Sequence, residues 1–375
     1  MNLLNNKKDH EWGFNDTEFQ VNTENENISL KGNRYLICGY EMPNFIPYIR
    51  KELEISDLDI NDIQKKKNYI IRPSIINNNF MNEINDIKFS KDDNDRLIHS
   101  HGQTSASEIQ YVLYSEQNLE REVDLVLYPK NSNDIEKIIK LANKYNICLV
   151  PYGGGTNVSC ALKCPKEEKR MIVSVDMKLL NNLINIDKEN NLATFGAGIT
   201  GLEMEKILLE HEYTSGHEPD SMEFSTLGGW ISTNASGMKK SKYGNIEDIV
   251  VNYKLYTSKG LIEKSINTPR NSYGTVIHGC IFGSEGNFGI ITEATIKINK
   301  KPELIEYQSI LFKNFNQGIK FMKELTINNK NLLPASVRLV DNKQLKFALA
   351  LKPEKTYFGE WKEFLKDLVL KKYYG

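Results

Sequence analysis

The chain has 375 residues and a formal net charge of −1 at pH 7, with 40% apolar and 26% charged residues. This composition is typical of globular proteins, and so small a charge excludes a global field that would draw the chain to nucleic acid. No apolar run approaches the roughly 18 residues of a membrane span, and the polar N-terminus lacks a signal-peptide core. We therefore expect a soluble intracellular protein of two or three domains.

The five cysteines show no metal-ligand spacing. Cys160 and Cys164 are the nearest pair, and the sequence places no histidine or cysteine at the further spacing that a zinc site needs. We predict free thiols in a reducing compartment and no metal site.

The first ninety or so residues predict an irregular extension that wraps a core, because short apolar pieces such as residues 35–38 are separated by polar segments. Residues 124–129 are an apolar run ended by proline, which predicts a buried strand. Ser132 and Asn133 are good helix N-caps, and apolar residues then recur at helical spacing from residue 135 to residue 142. A second apolar run leads into three glycines, which predicts a β-α-β unit ending in a glycine loop.

Predicted strands and helices also alternate along the rest of the chain. The patterns predict a strand at 172–175, a hairpin of 183–186 with 193–195, a capping box at Thr200 and Glu203, a hairpin of 253–257 with 261–263, and a strand at 290–298. After Pro302 they predict a strand at 310–312, a helix containing Phe315, Ile319 and Met322, a turn at 332–334, and an amphipathic helix around residues 361–368.

Four clusters rich in glycine and hydroxyl residues stand beside predicted strand ends, at residues 151–157, 218–229, 232–237 and 283–291. Each cluster alone is compatible with an ordered loop, and the first matches neither the Walker A nor the G-x-G-x-x-G pattern. Glycines at a strand end bring bare backbone amides close to a phosphate. The four clusters together therefore predict a site for a large phosphate-bearing cofactor.

Several of these motifs resemble alkyldihydroxyacetonephosphate synthases, also called alkylglycerone-phosphate synthases. The similar segments are Y-G-G-G-T at 152–156, G-H-E-P-D-S-M-E-F-S-T at 216–226, A-S-G-M-K-K at 235–240, Y-G-N-I-E-D at 243–248, S-E-G at 284–286, P-A-S-V-R-L at 334–339, D-N-K-Q at 341–344 and A-L-K-P at 350–353. The W-G-F-N-D at 12–16 is similar as well. The resemblance covers nearly the whole chain.

The resemblance implies an α+β fold with a two-subdomain FAD-binding domain of the vanillyl-alcohol-oxidase (PCMH) type. It also implies an N-terminal extension over residues 1–122, the FAD-binding domain over 123–300, and the start of a cap domain over 301–375. The implied activity is a redox-neutral transfer in peroxisomal ether-lipid synthesis. The acyl chain of acyl-dihydroxyacetone phosphate is exchanged for a fatty alcohol, while the flavin holds the substrate carbon.

The resemblance also assigns site residues. Arg338 is the implied catalytic residue, because a guanidinium can stabilise a developing negative charge or bind a phosphate, and a structural ion pair with Asp341 or another carboxylate is the alternative. Apart from the resemblance, His217 is an acid–base candidate because it stands in a loop of expected cofactor contacts, with a structural role as the alternative, and His101 is expected to be structural. The implied FAD contacts are Pro151, Tyr152, Gly153, Gly154, Gly155, Thr156, Asn157, Asp220, Ser221, Met222, Glu223, Phe224, Ser225, Thr226, Thr233, Asn234, Ala235, Ser236, Glu285, Gly286, Asn287, Phe288, Gly289, Ile290 and Ile291.

The family's motifs continue beyond the last similar segment, so we expect this chain to be a fragment or shortened homologue with an incomplete cap and without turnover of its own. No histidine or cysteine matches a flavin attachment point, which favours non-covalent FAD. A membrane surface for lipid access and a homodimer are further expectations. A non-catalytic FAD-binding remnant and an FAD-dependent 2-hydroxyacid dehydrogenase of the same superfamily are the alternatives.

Overall fold

A computed structural model describes residues 8, 13–55, 70–103, 119–270, 272, 278–328 and 333–352. The predicted helix around residues 361–368 lies outside these residues, as do Trp12, Leu332 and Pro353. No helix in the described segments is both long and apolar enough to cross a membrane.

The elements alternate along the chain. The strands are β1 (Glu18–Val21), β2 (Ile28–Lys31), β3 (Glu41–Met42), β4 (Lys88–Ser90), β5 (Leu125–Tyr128), β6 (Cys148–Tyr152), β7 (Ile172–Asp176), β8 (Leu183–Asp187), β9 (Leu192–Gly196), β10 (Tyr213–Thr214), β11 (Val250–Thr257), β12 (Gly260–Ile262), β13 (Ile290–Lys297) and β14 (Asn299–Lys300). The α-helices are Phe45–Leu53, Asn78–Glu83, Asp93–Ile98, Ser132–Tyr145, Gly201–Glu210, Leu227–Thr233, Lys240–Tyr243, Ile246–Ile249, Phe315–Asn328 and Asn342–Ala350, with 3-10 turns at Met177–Leu179 and His278–Ile281.

The first of the two larger sheets contains the predicted β-α-β unit. Its strand order is β4-β5-β7-β6, in which β5, β7 and β6 are parallel and β4 is antiparallel. The helix Ser132–Tyr145 links β5 to β6 and buries Ile135, Ile138 and Ile139 against this sheet. The predicted N-caps were wrong by one or two residues: the side chain of Asn131 accepts the capping hydrogen bond, so Ser132 and Asn133 lie inside the helix.

The second sheet has the order β12-β11-β13-β9-β8, and its neighbouring strands are antiparallel. Both predicted hairpins, β8 with β9 and β11 with β12, are confirmed. The helix Gly201–Glu210 begins with the predicted capping box of Thr200 and Glu203. This sheet and its helices enclose the second core, in which Phe195, Tyr213, Trp230 and Tyr253 are the buried aromatic side chains.

The N-terminal region is more ordered than the sequence predicts. Strands β1 to β3 form an antiparallel sheet, and the Phe14 ring beside it packs on Phe224 with centroids 4.9 Å apart. The helix Phe45–Leu53 contacts the helix Asn342–Ala350, where the rings of Phe45 and Tyr48 lie 6.3 and 6.0 Å from the ring of Phe347. The expectation of an irregular extension is therefore wrong for residues 18–53. Strand pairing and contacts with distant residues order this segment.

The strand predicted at residues 310–312 is not formed. These residues have no regular structure, and the side chains of Ile310 and Leu311 are exposed. No described strand pairs with them, and a strand without a hydrogen-bonded neighbour is marginal in water. The helix predicted next is present as Phe315–Asn328, although Phe315 and Ile319 on its apolar face are exposed.

Candidate functional site

The glycine-rich loop at residues 153–155 leaves the carboxyl end of β6 and borders a cleft of about 330 Å³ between the two larger sheets. A Cβ on Gly153 would lie 2.4 Å from Thr226 Oγ1, and a Cβ on Gly154 would lie 1.9 Å from the carbonyl oxygen of Phe224. Gly155 has a φ of +68°, which L side chains rarely adopt. The three glycines therefore allow two loops to touch where larger residues would separate them.

Two backbone donors of the loop lie at the cleft and are unpaired. Among the described residues, no acceptor is hydrogen-bonded to the N–H of Gly154 or Gly155. The loop is held instead through the carbonyl oxygen of Gly155, which accepts from the N–H of Gln103 at 2.5 Å. Unpaired amides beside a cavity of this size fit the pyrophosphate of a dinucleotide cofactor, because buried N–H groups need an acceptor.

The opposite wall begins at Thr226. Its side chain caps the helix Leu227–Thr233 by accepting from the N–H of Gly229, and the N–H of Gly228 donates to the Ala197 carbonyl. The N–H groups of Gly228 and Gly229 are therefore already hydrogen-bonded within the protein. The helix Leu227–Thr233 forms a wall of the cleft. The indole of Trp230 donates to Ser225 Oγ at 2.9 Å and is itself buried in the second core.

The third side of the cleft is formed by the loop before β13. Gly286 has a φ of +81°, and a Cβ there would lie 3.2 Å from the ring of Pro151. The N–H of Glu285 donates to the carbonyl of Ser232, which ties this loop to the helix Leu227–Thr233. The glycine-rich loop, the helix and the β13 loop therefore meet around one space.

Not every residue predicted from the clusters lines the cleft. Those that do are Pro151, Tyr152, Gly153, Gly154, Gly155, Thr156, Asn157, Ser225, Thr226, Thr233, Glu285, Gly286, Gly289, Ile290 and Ile291. Those outside its lining are Asp220, Ser221, Met222, Glu223, Phe224, Asn234, Ala235, Ser236, Asn287 and Phe288. Lining residues that the prediction missed are Val158, Ser159, Ala161, Leu162, Met177, Ala197, Gly228, Gly229, Trp230 and Ser232. All of these except Met177 and Ala197 lie within about five residues of a predicted one, so a wider window would have found them.

His217 lies beside the cleft rather than in its lining. Its side chain is buried, with a relative exposure of 2%, and its ring meets the Trp230 ring edge-on at 5.0 Å. Neither ring nitrogen has a hydrogen-bond partner among the described residues. Burial lowers the pKa of His217 from 6.5 to about 4, so the imidazole is neutral at pH 7.

We expect this histidine to make the fold sensitive to acid. Because the folded-state pKa is the lower one, the contribution of neutral His217 is fully present above pH 6.5 and is lost as the pH falls towards 4. Wild type should therefore lose about 3 kcal/mol more stability than His217→Phe between pH 7 and 4. Denaturant unfolding at both pH values measures this, with the exposed His211→Phe as control; equal losses in wild type and His217→Phe would contradict it.

Arg338 lies outside the cleft lining. Its guanidinium contacts the sulfur of Met238, in the loop that follows the third cluster. Asp341, the predicted alternative partner, instead caps the helix Asn342–Ala350 by accepting from the N–H of Gln344 at 2.8 Å. Arg338 is exposed to solvent. No carboxylate in the described segments forms an ion pair with it. The nearby loop is anchored by an ion pair between Lys239 and Glu218 at 2.5 Å.

Comparison with known proteins identifies the class. Residues 123–265 match the FAD binding domain family, and this segment contains the glycine-rich loop and the helix wall of the cleft. The chain is therefore an FAD-binding protein with the mixed α and β fold of the PCMH type, and FAD is its cofactor.

The particular relatives are more specific. Alkyldihydroxyacetonephosphate synthase of Caenorhabditis elegans is 41% identical over 372 residues, which cover 95% of this chain and 61% of the relative. The synthase of Dictyostelium discoideum is 37% identical over 248 residues, which cover 66% of this chain and 39% of the relative. A solved alkyldihydroxyacetonephosphate synthase superposes with a TM-score of 0.85 at 28% identity, covering 98% of this chain and 68% of that one. The chain is similar to these synthases and spans about three fifths of the length of the C. elegans relative.

Proposed function

We propose that this chain binds FAD non-covalently in the cleft and belongs to an enzyme that exchanges the acyl chain of acyl-dihydroxyacetone phosphate for a fatty alcohol. The carrying observation is the pair of unbonded amides at Gly154 and Gly155 beside a cleft walled by Thr226 and Trp230. These residues would hold the pyrophosphate and an adjoining part of the cofactor. When bound, FAD supplies the electron-accepting ring on which the exchange depends.

The remaining assignments follow from the same resemblance. We propose that residues 123–300 form the FAD-binding unit, that residues 1–122 wrap it, and that residues 301–375 contribute to a cap over the flavin. We further propose a peroxisomal location, access to lipid at a membrane surface, and homodimers. The similarity to the C. elegans synthase covers 95% of the chain, so it extends beyond the FAD-binding unit and favours this function over a 2-hydroxyacid dehydrogenase.

Within this proposal, Arg338 binds or stabilises negative charge on the substrate. Its guanidinium is exposed and unpaired with any described carboxylate, so an incoming phosphate or oxyanion would not need to displace an ion pair. Its contact with Met238 places it beside the loop that follows the third cluster. Burial lowers the pKa of His217 to about 4, so at pH 7 the ring is neutral and a weak base, and its role next to the cleft would be that of a hydrogen-bonding group.

Reconstitution tests the proposal. The purified chain should take up about one FAD per chain and release it on denaturation, as expected for a single non-covalent site. Binding of palmitoyl-dihydroxyacetone phosphate to the FAD-loaded chain is then measured, and Arg338→Ala should weaken it about tenfold at unchanged flavin content, with the exposed Arg270→Ala as control. A chain that takes up no FAD would refute the cofactor site. Oxidation of D-lactate would favour the dehydrogenase, and flavin without binding of the acyl-dihydroxyacetone phosphate would favour a non-catalytic remnant.

A further inference from the structure

The segment that follows the helix Asp93–Ile98 lies along the glycine-rich loop. The backbone N–H of Gln103 donates to the carbonyl oxygen of Gly155 at 2.5 Å, and its side-chain amide donates to the hydroxyl of Tyr152 at 2.9 Å. Tyr152 is the residue before the three glycines, and Gly155 is the last of them. The two hydrogen bonds of Gln103 therefore connect both ends of the loop.

The neighbouring Gly102 contacts the chain just beyond the loop. Gly102 is buried, and a Cβ there would lie 2.7 Å from the carbonyl oxygen of Asn157. Oδ1 of Asn157 accepts from the N–H of Ala161 at 3.1 Å, within a segment that also lines the cleft. Gly102 and Gln103 therefore contact the chain on both sides of the unbonded amides.

The ring of Tyr152 is held separately from its hydroxyl. Tyr152 is 5% exposed, and its ring packs on the ring of His99 with centroids 4.3 Å apart. Nε2 of His99 lies 3.1 Å from Oδ2 of Asp176, which fixes that second ring. Removal of the Tyr152 hydroxyl would therefore leave the ring packed and break the hydrogen bond to Gln103.

A loop of three glycines needs such support from outside. Glycine has the widest backbone freedom of any residue, so a free loop would be ordered only when the cofactor binds, at a cost in affinity. A loop that is already held avoids this cost. The support comes from residues 102 and 103, which lie outside the segment 123–265 that matches the FAD binding domain family.

We propose that Gln103 is a positioning residue that holds the glycine-rich loop in the conformation in which the amides of Gly154 and Gly155 bind the cofactor's pyrophosphate. This inference rests on the proposed FAD cleft. Gln103 is not among the residues that line the cleft, so it acts through the loop. The N-terminal part of the chain therefore contributes to the cofactor site as well as wrapping the FAD-binding unit.

Calorimetric titration of FAD into variants of the 375-residue chain tests this. Gln103→Met keeps the length of the side chain and the backbone N–H but loses the side-chain amide, so Kd should rise about fivefold. Tyr152→Phe removes the other partner of the same bond and should raise Kd by about the same factor. The double variant should bind no more weakly than either single variant, because one bond is lost in all three.

Matched controls lose a side-chain hydrogen bond elsewhere. Oε1 of Gln317 accepts from the N–H of Lys313, and the hydroxyl of Tyr145 donates to Glu83. Gln317→Met and Tyr145→Phe should therefore bind FAD as wild type does. A wild-type Kd in Gln103→Met would overturn the inference, and so would single effects that multiply in the double variant.

A second readout is independent of FAD. In the FAD-free chain labelled with ¹⁵N-glutamine, the backbone amide of Gln103 is assigned by its loss in Gln103→Met. Its hydrogen bond to Gly155 should protect it from hydrogen exchange, and it should exchange about tenfold faster in Tyr152→Phe. The amide of Gln344, which donates to Oδ1 of Asp341 at 2.8 Å, should exchange at the same rate in both chains.

The two readouts separate the possible failures. Equal exchange rates of the Gln103 amide in wild type and Tyr152→Phe would overturn the inference. Faster exchange of both the Gln103 and the Gln344 amides would indicate a general loosening of the fold and would also overturn it. If the wild-type chain takes up no FAD, the proposed function fails, and the exchange rates still decide whether Gln103 holds the loop.

Discussion

Replacing Gly154 by alanine is expected to weaken FAD binding by about 30- to 150-fold, because overpacking a tight contact costs roughly 2 to 3 kcal/mol. The added Cβ would lie 1.9 Å from the carbonyl oxygen of Phe224, and neither partner is a flexible side-chain end. Two backbone segments must therefore separate. The loop that carries the unbonded amides moves away from the wall formed by Thr226.

Gly279→Ala is the matched control. Nothing lies within 4 Å of the position that its Cβ would occupy, and its φ lies outside the left-handed range. Both variants are compared by FAD titration, with circular dichroism to confirm that each is folded. If Gly154→Ala bound FAD as tightly as Gly279→Ala, the loop would not be the pyrophosphate site.

Replacing Asp124 by alanine is expected to lower the free energy of unfolding by about 3 to 5 kcal/mol, because it leaves a buried arginine unpaired. Asp124 is fully buried and forms a two-point ion pair with Arg121, which is 7% exposed. Its two oxygens also accept from the backbone N–H groups of Ile75 at 2.7 Å and Ile172 at 2.8 Å. One substitution therefore removes the partner of four donors.

Two further variants separate the buried charge from other effects. Glu136→Ala breaks an exposed ion pair with Lys140 and should change stability by no more than about 0.5 kcal/mol. Arg121→Met combined with Asp124→Leu removes both charges and should recover part of the loss. Denaturant unfolding gives all three values. A loss below about 1 kcal/mol for Asp124→Ala would show that the Arg121 charge is solvated in another way.

The sequence predicts best those features that a few neighbouring residues encode. The run of glycines after β6, the Thr200 capping box and the two hairpins are each encoded within a few residues, and the structure contains all of them. The cofactor could be named only because the motifs of several loops resemble one family. The sequence of the glycine-rich loop alone is equally compatible with a tight turn and with a phosphate site.

Contacts between distant segments were not predictable in this way. His99 and Asp176 are 77 residues apart, and nothing in either neighbourhood indicates the other. Phe224 stands within a predicted cofactor cluster, but its ring turns towards Phe14 and its carbonyl towards Gly154. The missing strand at residues 310–312 has the same cause, since β propensity describes a residue and pairing requires a neighbour.

The helix Phe45–Leu53 packs on the helix Asn342–Ala350, which is synthesised much later. The hydroxyl of Tyr48 donates to the carbonyl of Lys343 at 3.5 Å across 295 residues of sequence. At ribosomal rates of about 5 to 20 residues per second, this separation is a wait of roughly 15 to 60 s. During that time the rings of Phe45 and Tyr48 lack the Phe347 ring that packs on them, so chaperones or other nascent chains can contact them. The helix Phe45–Leu53 is therefore expected to complete its packing only after the segment around Lys343 has been synthesised.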